Sequence, residues 1–512
     1  MSARSPVRPV ARGISVPPVL HQPRRRVIVI GAGLGGLATA ARLAHAGYRV
    51  TVLERHALPG GRAGLWESEG FRFDTGPSLV LMVEYWEQLF RDVGRRLQDY
   101  VTLVQIDPNY RIHYPDGSSL EITSRINQLL ANLERLEPGV TDGMLRFLAR
   151  SGEMYRKGLA FIDRNLHPRG SMFSLAHLSK LLGSGALGGL RRMVANYVRD
   201  ERLRDALTFQ SLYLGLSPYE SLAIYSLLPY AEIAGGLYYP MGGIHRLSSA
   251  LAQLAEESGA ELQYGARVAR IERAGRRVTG VLLEDGTRLE ADLIVSNADL
   301  PYTYASLLGE PYPGIEGREF SCSVLLMYLG VARRYPGLLH HNLVVPPRMR
   351  DACEDIFRRH TMPDEPPFYV CAPSRTDPSV APSGCENLFV LVLAPSQDPA
   401  RPIDWSIEGC RVESAMLTRL ERFGLTDLRR HLVTRRLFTP DDFSREFGNL
   451  RGEAFGLAHG VRQIGYFRPH NRHARLANMY FVGQSTHPGC GLPMVLISAR
   501  CVAERVLAEQ PV

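Results

Sequence analysis

Gly31, Gly33 and Gly36 stand at G-x-G-x-x-G spacing directly after the β-branched run Val27 to Ile30. That pattern has a mechanical reading. The first glycine permits a tight turn, the second lets backbone approach a pyrophosphate, and the third lets the following helix pack closely on the strand. Ala38, Ala40, Ala41 and Ala44 keep that helix slim. Its N-terminus carries unpaired N–H groups and a partial positive charge, which suits a diphosphate. Val50 to Leu53 read as a second strand ending in Glu54. A carboxylate about 20 residues past the glycines is placed to accept the hydroxyls of an adenosine ribose. Strand, glycines, slim helix, second strand and acid fall in register, so the segment predicts a dinucleotide site. The glycines alone do not choose between FAD and NAD.

The residues that follow do choose. Pro59-Gly60-Gly61-Arg62 comes soon after Glu54. It resembles the extension found in FAD-containing oxidoreductases of the amine oxidase and phytoene desaturase superfamily. The resemblance implies FAD, with Gly61 and Arg62 beside the flavin phosphates. GFRFDTGPS resembles the G-F-x-F-D-x-G-P-[ST] segment of the phytoene desaturases, which puts Gly76 in a turn against the flavin. The stretch from Tyr197 to Gly243 closely resembles the middle of bacterial and fungal phytoene desaturases. PPRMRDAC, FTPDDF, EAFGL and YFRPHNR then appear in the family order. Near the end, Thr486-His487-Pro488-Gly489-Cys490-Gly491-Leu492-Pro493 resembles the family's T-H-P-G-x-G-[IVL]-P signature, which is far more specific than the first glycines. By resemblance, Gly483, Pro493 and Met494 border the flavin, and Val268 presents backbone to the adenine. The likeness covers nearly the whole chain after about residue 25.

The implied fold is α/β, with an α+β substrate domain. A Rossmann-like FAD-binding domain of that superfamily is built from residues 25–123, 236–300 and 470–512. It is interleaved with a substrate-binding domain over 301–469. Residues 124–235 turn helical and apolar and read as a region for membrane association and substrate access. Its segment Leu175 to Leu190 sets Lys180, Arg191 and Arg192 beside leucines, a basic amphipathic pattern suited to a bilayer interface. Residues 1–24, rich in Arg, Pro, Ser and Val, read as a disordered basic tail.

Composition narrows the partners. The chain has 512 residues, 45% hydrophobic and 22% charged, enough for two or three domains with a large core. The net charge is +8, but the arginines are scattered through apolar sequence without an aromatic–basic strip. Nucleic acid is therefore not an expected partner, and a negative membrane face is. No apolar run approaches the roughly 18 residues of a spanning helix. The expected location is peripheral, on the cytoplasmic side of a membrane. Seven widely spaced cysteines without a C-x-x-C pair read as reduced thiols. His340-His341 resembles a family doublet. With no carboxylate or cysteine at ligand spacing, it predicts no metal site.

The resemblance also implies chemistry. Phytoene desaturases remove paired hydrogens from a long polyene by allylic hydride transfer to flavin N5 and loss of the neighbouring proton, with quinone or oxygen taking the electrons. Delocalisation of the cation lowers the need for a strong base. Candidate polar groups near the substrate are His177 and Lys180, where relatives carry an acid and an arginine, and Arg348. Phytoene conversion toward lycopene is the leading reading. On the same fold, C30 diapophytoene or hydroxy- and methoxycarotenoid desaturation, carotenoid isomerisation and ketolation are rivals. A flavin-free prenyl or lipid carrier is the non-enzyme alternative, and it conflicts with the intact glycines and Glu54. An amine oxidase would need an aromatic cage and often a flavin-linked cysteine, and no matching motif is present.

Overall fold

A computed structural model describes residues 25–166 and 185–512. The basic tail, most of the amphipathic segment 175–190, and both His177 and Lys180 lie outside the described residues. Val27 to Ile30 are buried on both sides because their strand is central. Arg26–Ile30 sits in a five-stranded sheet in the order Met479–Phe481, Leu293–Ser296, Arg26–Ile30, Arg49–Leu53, Glu261–Gln263. Every neighbouring pair is parallel. A parallel sheet covered on both faces needs apolar β-branched runs of this kind.

The helix Leu34–His45 lies against this sheet and packs on both His245–Glu257 and Leu492–Glu509. Ala38, Ala40 and Ala41 are fully buried in that contact. Gly36 comes so close to the preceding turn that a Cβ there would stand 2.1 Å from the Gly31 carbonyl oxygen.

Hairpins around Gly275 and Gly286 build a separate three-stranded antiparallel sheet of Val268–Ala274, Arg277–Leu283 and Arg288–Glu290. Leu293–Ser296 then returns to the parallel sheet.

A second large sheet has seven strands. Their order is Leu432–Phe438, Ser323–Val331, Glu386–Ala394, Phe368–Cys371, His341–Val344, Tyr110–His113 and Ser119–Ile122. Tyr110–His113 and Ser119–Ile122 form a hairpin through Asp116-Gly117. It does not extend the dinucleotide sheet, because Tyr110–His113 pairs in parallel with His341–Val344. The boundary at residue 123 therefore does not divide the two sheets. Local alternation specifies a hairpin without saying which distant edge it joins.

Ser323–Val331 is buried at every position. Its alternate side chains enter two different cores, with Leu325 and Leu329 on one face and Leu326 and Tyr328 on the other.

Helices Ile126–Glu134, Thr141–Ile162, Glu201–Ala206 and Leu227–Gly235 close over the junction of the two sheets. Among the described residues, no helix is long and apolar enough to cross a membrane.

The Gly36 contact predicts its own test. Gly36→Ala forces the helix off the strand and lowers stability by about 1–3 kcal/mol. Gly235→Ala, where a Cβ meets nothing within 4 Å, does not lower it. Urea unfolding of the two variants beside the parent chain measures both.

Candidate functional site

One cavity of about 970 Å³ dominates the described structure. This is near the upper end of the roughly 300–1,000 Å³ typical of ligand sites. It begins between Glu54 and Val268, passes the glycine turns, and continues between the helical region and the second sheet as far as Leu343 and Met349. Its first part is bordered by charged groups and bare backbone, while its further reach is lined mainly by aliphatic and aromatic side chains.

Two helix N-termini face this cavity. Leu34–His45 starts from Gly33 and Leu492–Glu509 from Gly491, and neither cap residue supplies a side-chain hydrogen bond. Leu34, Gly35, Pro493 and Met494 line the cavity. The free N–H groups of two long helices are thus turned toward one void, the arrangement that binds anions. Pro493 falls in the first turn of its helix, where a missing N–H costs nothing. Gly483 and Gly491 hold φ of 121° and 109°, left-handed values that favour glycine.

The other expected cofactor residues converge here too. Glu54 is buried, and its carboxylate accepts hydrogen bonds from the N–H groups of Ala32 (2.7 Å) and His56 (2.9 Å). It therefore braces the glycine turn while lining the cavity. Gly61 packs against Gly33, since a Cβ at Gly61 would lie 3.6 Å from the Gly33 Cα. Gly76 leaves no room for a side chain, as its Cβ would meet the Arg62 carbonyl at 2.2 Å. Val268 opens its strand and lines the same cavity.

Arg62 lines the cavity and donates to the Ala454 carbonyl at 3.3 Å. Burial pushes its pKa down, while Asp299 and Glu453 push it back up. Arg348 is not part of this assembly. Its side chain is 81% exposed beside Asp351 at 3.9 Å, and it is not among the residues lining the cavity. His177 and Lys180 are outside the described residues.

Several residues at the site escaped sequence reasoning. The Asn297 amide packs over the first glycines, with Nδ2 where a Cβ of Gly33 would come within 2.6 Å. Asp299 is buried and accepts from the Ser485 hydroxyl at 2.6 Å. Both follow the parallel strand Leu293–Ser296, and ligands bind beyond the carboxyl ends of such strands. That position was the signal available in the sequence.

Arg468 is 1% exposed and gives its N–H groups to the carbonyls of Leu457, Ala458, Gln484 and Thr486. Burial pushes its pKa down to about 10. This cation stitches the loop before the last helix to the segment 457–468. His459 completes the clamp by accepting the Cys490 N–H at 3.2 Å. Burial keeps that imidazole neutral.

The histidine doublet also needs a correction. Cys371 does lie beside it, brought there by the antiparallel pairing of His341 with Cys371. The ligand atoms of His340, His341 and Cys371 lie within 4.8 Å of one another. The imidazole Nδ1 atoms are held by Thr376 (2.7 Å) and Tyr369 (2.6 Å). Sequence spacing hid the thiol because strand register, not proximity in the chain, supplies it.

Fold and cradle together define a flavin-dependent oxidoreductase whose dinucleotide site opens into a long apolar bore. A family model for flavin containing amine oxidoreductases matches residues 34–314. The chain belongs to that family and, within it, to the FAD-dependent carotenoid desaturases. It is 45% identical over 488 residues to a zeta-carotene-forming phytoene desaturase of Myxococcus xanthus, covering 94% of each chain. It is 35% identical over 492 residues to a lycopene-forming phytoene desaturase of Pseudescherichia vulneris, covering 95% of this chain and 99% of the relative. A putrescine oxidase bound to putrescine shares the fold at 15% identity and a TM-score of 0.62, covering 95% of this chain and 99% of the other.

Bound FAD would supply the hydride acceptor; the residues that would hold it are the glycine turns, the two uncapped helix N-termini, whose free N–H groups suit a diphosphate, and Glu54, whose carboxylate suits ribose hydroxyls.

Burial raises the pKa of both Asp299 and Glu453, and the Asp299 carboxylate adds to the rise at Glu453. The folded chain thus holds a proton that the unfolded chain releases at lower pH, and stability falls as pH rises through that window. The unfolding temperature should decline between about pH 5 and about pH 8, and Glu453→Gln should flatten the decline. An unchanged slope in differential scanning fluorimetry would show that the pair carries no such linkage.

Proposed function

We propose that the chain desaturates phytoene, taking it at least to ζ-carotene on the route toward lycopene. The observation that carries this reading is the continuity of the cavity. One void joins the glycine cradle to a bore bordered by Phe209, Ile224, Leu343, Met349 and Phe368. A flexible, wholly apolar chain threaded there is stripped of water along its length. The near full-length likeness to two phytoene desaturases supports the same substrate. The greater identity to the zeta-carotene-forming relative favours the early steps.

A membrane surface is the proposed source of substrate. At about 0.8 kcal/mol per buried CH₂, moving a C40 polyene from lipid into water costs tens of kcal/mol. Direct transfer from the bilayer avoids that cost. Val461 and Phe467 border the cavity and yet are 47% and 58% exposed. Lys157 and Arg164 also border it. Apolar side chains flanked by cations at an opening suit an anionic lipid face. We place the enzyme peripherally on the cytoplasmic side, with electrons leaving to quinone or oxygen.

Co-expression with a phytoene-forming pathway in a colourless host tests the substrate. Phytoene should fall while ζ-carotene or lycopene accumulates. Unchanged phytoene beside a purified yellow protein would sink the phytoene assignment. Membrane docking has a separate test. The double variant Val461→Asp with Phe467→Asp should sediment with anionic liposomes at least several-fold less than the parent while keeping its flavin. Equal sedimentation would place the docking face elsewhere.

A further inference from the structure

Behind the wall of the bore lies an acid that no packing need explains. Glu232, on the helix Leu227–Gly235, is fully buried. Its Oε2 accepts from the Tyr110 hydroxyl at 2.8 Å and from Gln210 Nε2 at 3.1 Å. Asn109 Nδ2 fixes the same residue through its carbonyl at 2.9 Å. Its Oε1 is buried and accepts no hydrogen bond. The charged and titratable groups bearing on the carboxyl are two tyrosines, Tyr110 from the strand Tyr110–His113 and Tyr213 from the turn Phe209–Leu214. No cation faces it among them. A buried carboxylate without a cation is costly. A neutral glutamine could accept the same two hydrogen bonds, so structure alone does not call for an ionisable group here.

Tyr213 links this acid to the substrate space. Its ring lines the bore, between Leu212 and Leu214. Its hydroxyl bears on the Glu232 carboxyl. Tyr369 and Ser78 also line this part of the bore, joined hydroxyl to hydroxyl at 2.9 Å. Ser78 directly follows the Gly76-Pro77 turn, which lines the cavity beside Arg62. Tyr213 is therefore a hydroxyl at the bore wall, in a cluster that reaches toward the redox end.

We propose that Tyr213 and Glu232 form the proton exit of the desaturation, with Tyr213 touching the polyene and Glu232 acting through it. After hydride loss the polyene is an allylic cation whose neighbouring C–H is strongly acidic. That C–H bond breaks, its electron pair becomes the new double bond, and the proton passes to the Tyr213 oxygen. Tyr213 releases its own hydroxyl proton to the Glu232 carboxylate, which becomes a neutral carboxylic acid. The hydride leaves with FAD, so atoms and charge balance.

The electrostatics agree with these roles. Burial pushes the Glu232 carboxyl up to about 7, so it exchanges protons near neutrality. Burial and the neighbouring carboxylate push the Tyr213 phenol well above its ordinary value, so it stays protonated and can relay. Glu232 must be ionised to accept, so the rate should rise with pH through about 7 and level above it.

The proposal rests on the desaturase chemistry and not on which carotene is used. The FAD-loaded enzyme in liposomes is offered phytoene and, in parallel, ζ-carotene, and anaerobic flavin bleaching is followed against pH. Glu232→Gln and Tyr213→Phe should each slow bleaching about 100-fold. Glu232→Gln should also abolish the rise with pH, with flavin content and unfolding temperature kept. Infrared difference spectra of the same preparations between acid and alkaline pH should show a protonated-carboxyl band that Glu232→Gln removes. Bleaching at the parental rate in either folded variant, or a pH rise that survives Glu232→Gln, overturns the relay. If Glu232→Gln does not fold, Tyr213→Phe decides alone. Which carotenes the parent accepts tests the substrate assignment, and the ratio of variant to parent tests the relay.

Discussion

The bare Cα of Gly36 rests against the Gly31 carbonyl, and no residue with a side chain can occupy that contact. It sets how deeply the helix Leu34–His45 lies on its strand. The helix depth fixes where Gly33 and its free N–H neighbours point, and Asn297 closes over them from the next strand. The last helix packs on the same first helix, so its own N-terminus is delivered to the same void. Two dipoles aimed at one place follow from a single close approach.

A site with two positive helix ends and a long apolar bore has an electrostatic problem, because charges in low dielectric are expensive unless each is answered. The chain answers them by separation. Arg468, sealed inside, spends its donors on carbonyls and so serves as mortar for the loop Gly483 to Gly491. Arg62, Asp299 and Glu453 balance one another at the cofactor end. Beyond them the bore runs mainly among aliphatic and aromatic side chains, and the Asp205 carboxylate on its lining is answered by Arg191 at 2.7 Å.

The cofactor half was readable because its chemistry is local. Strand, glycines, helix and Glu54 lie within one short segment, and the Thr486 to Pro493 loop is another. What sequence missed depends on long-range register. Cys371 meets His341 only through an antiparallel ladder. Tyr110–His113 joins the second sheet only because a distant strand lies parallel to it. Arg348 sat in a family-like segment, yet it caps a short helix at the surface. A resemblance carries a residue's neighbourhood in the chain, not the direction of its side chain.

The same distinction explains why the acid–base groups were the hardest to find. A polyene cation is acidic enough to surrender its proton to a weak base, so the reaction imposes no motif comparable to a triad. What it does favour is that an unpaired charge stay out of the bore, since a lone carboxylate on the wall would desolvate with every substrate bound. Glu232 meets that constraint by standing one side chain back, with its charge shared by Tyr110 and Gln210. Such a residue reads in sequence as an ordinary glutamate in an apolar helix. Only the packing of the strand Tyr110–His113, the turn Phe209–Leu214 and the helix Leu227–Gly235 makes it conspicuous. A bore that must be apolar to its substrate thus moves its polar chemistry into the layer behind.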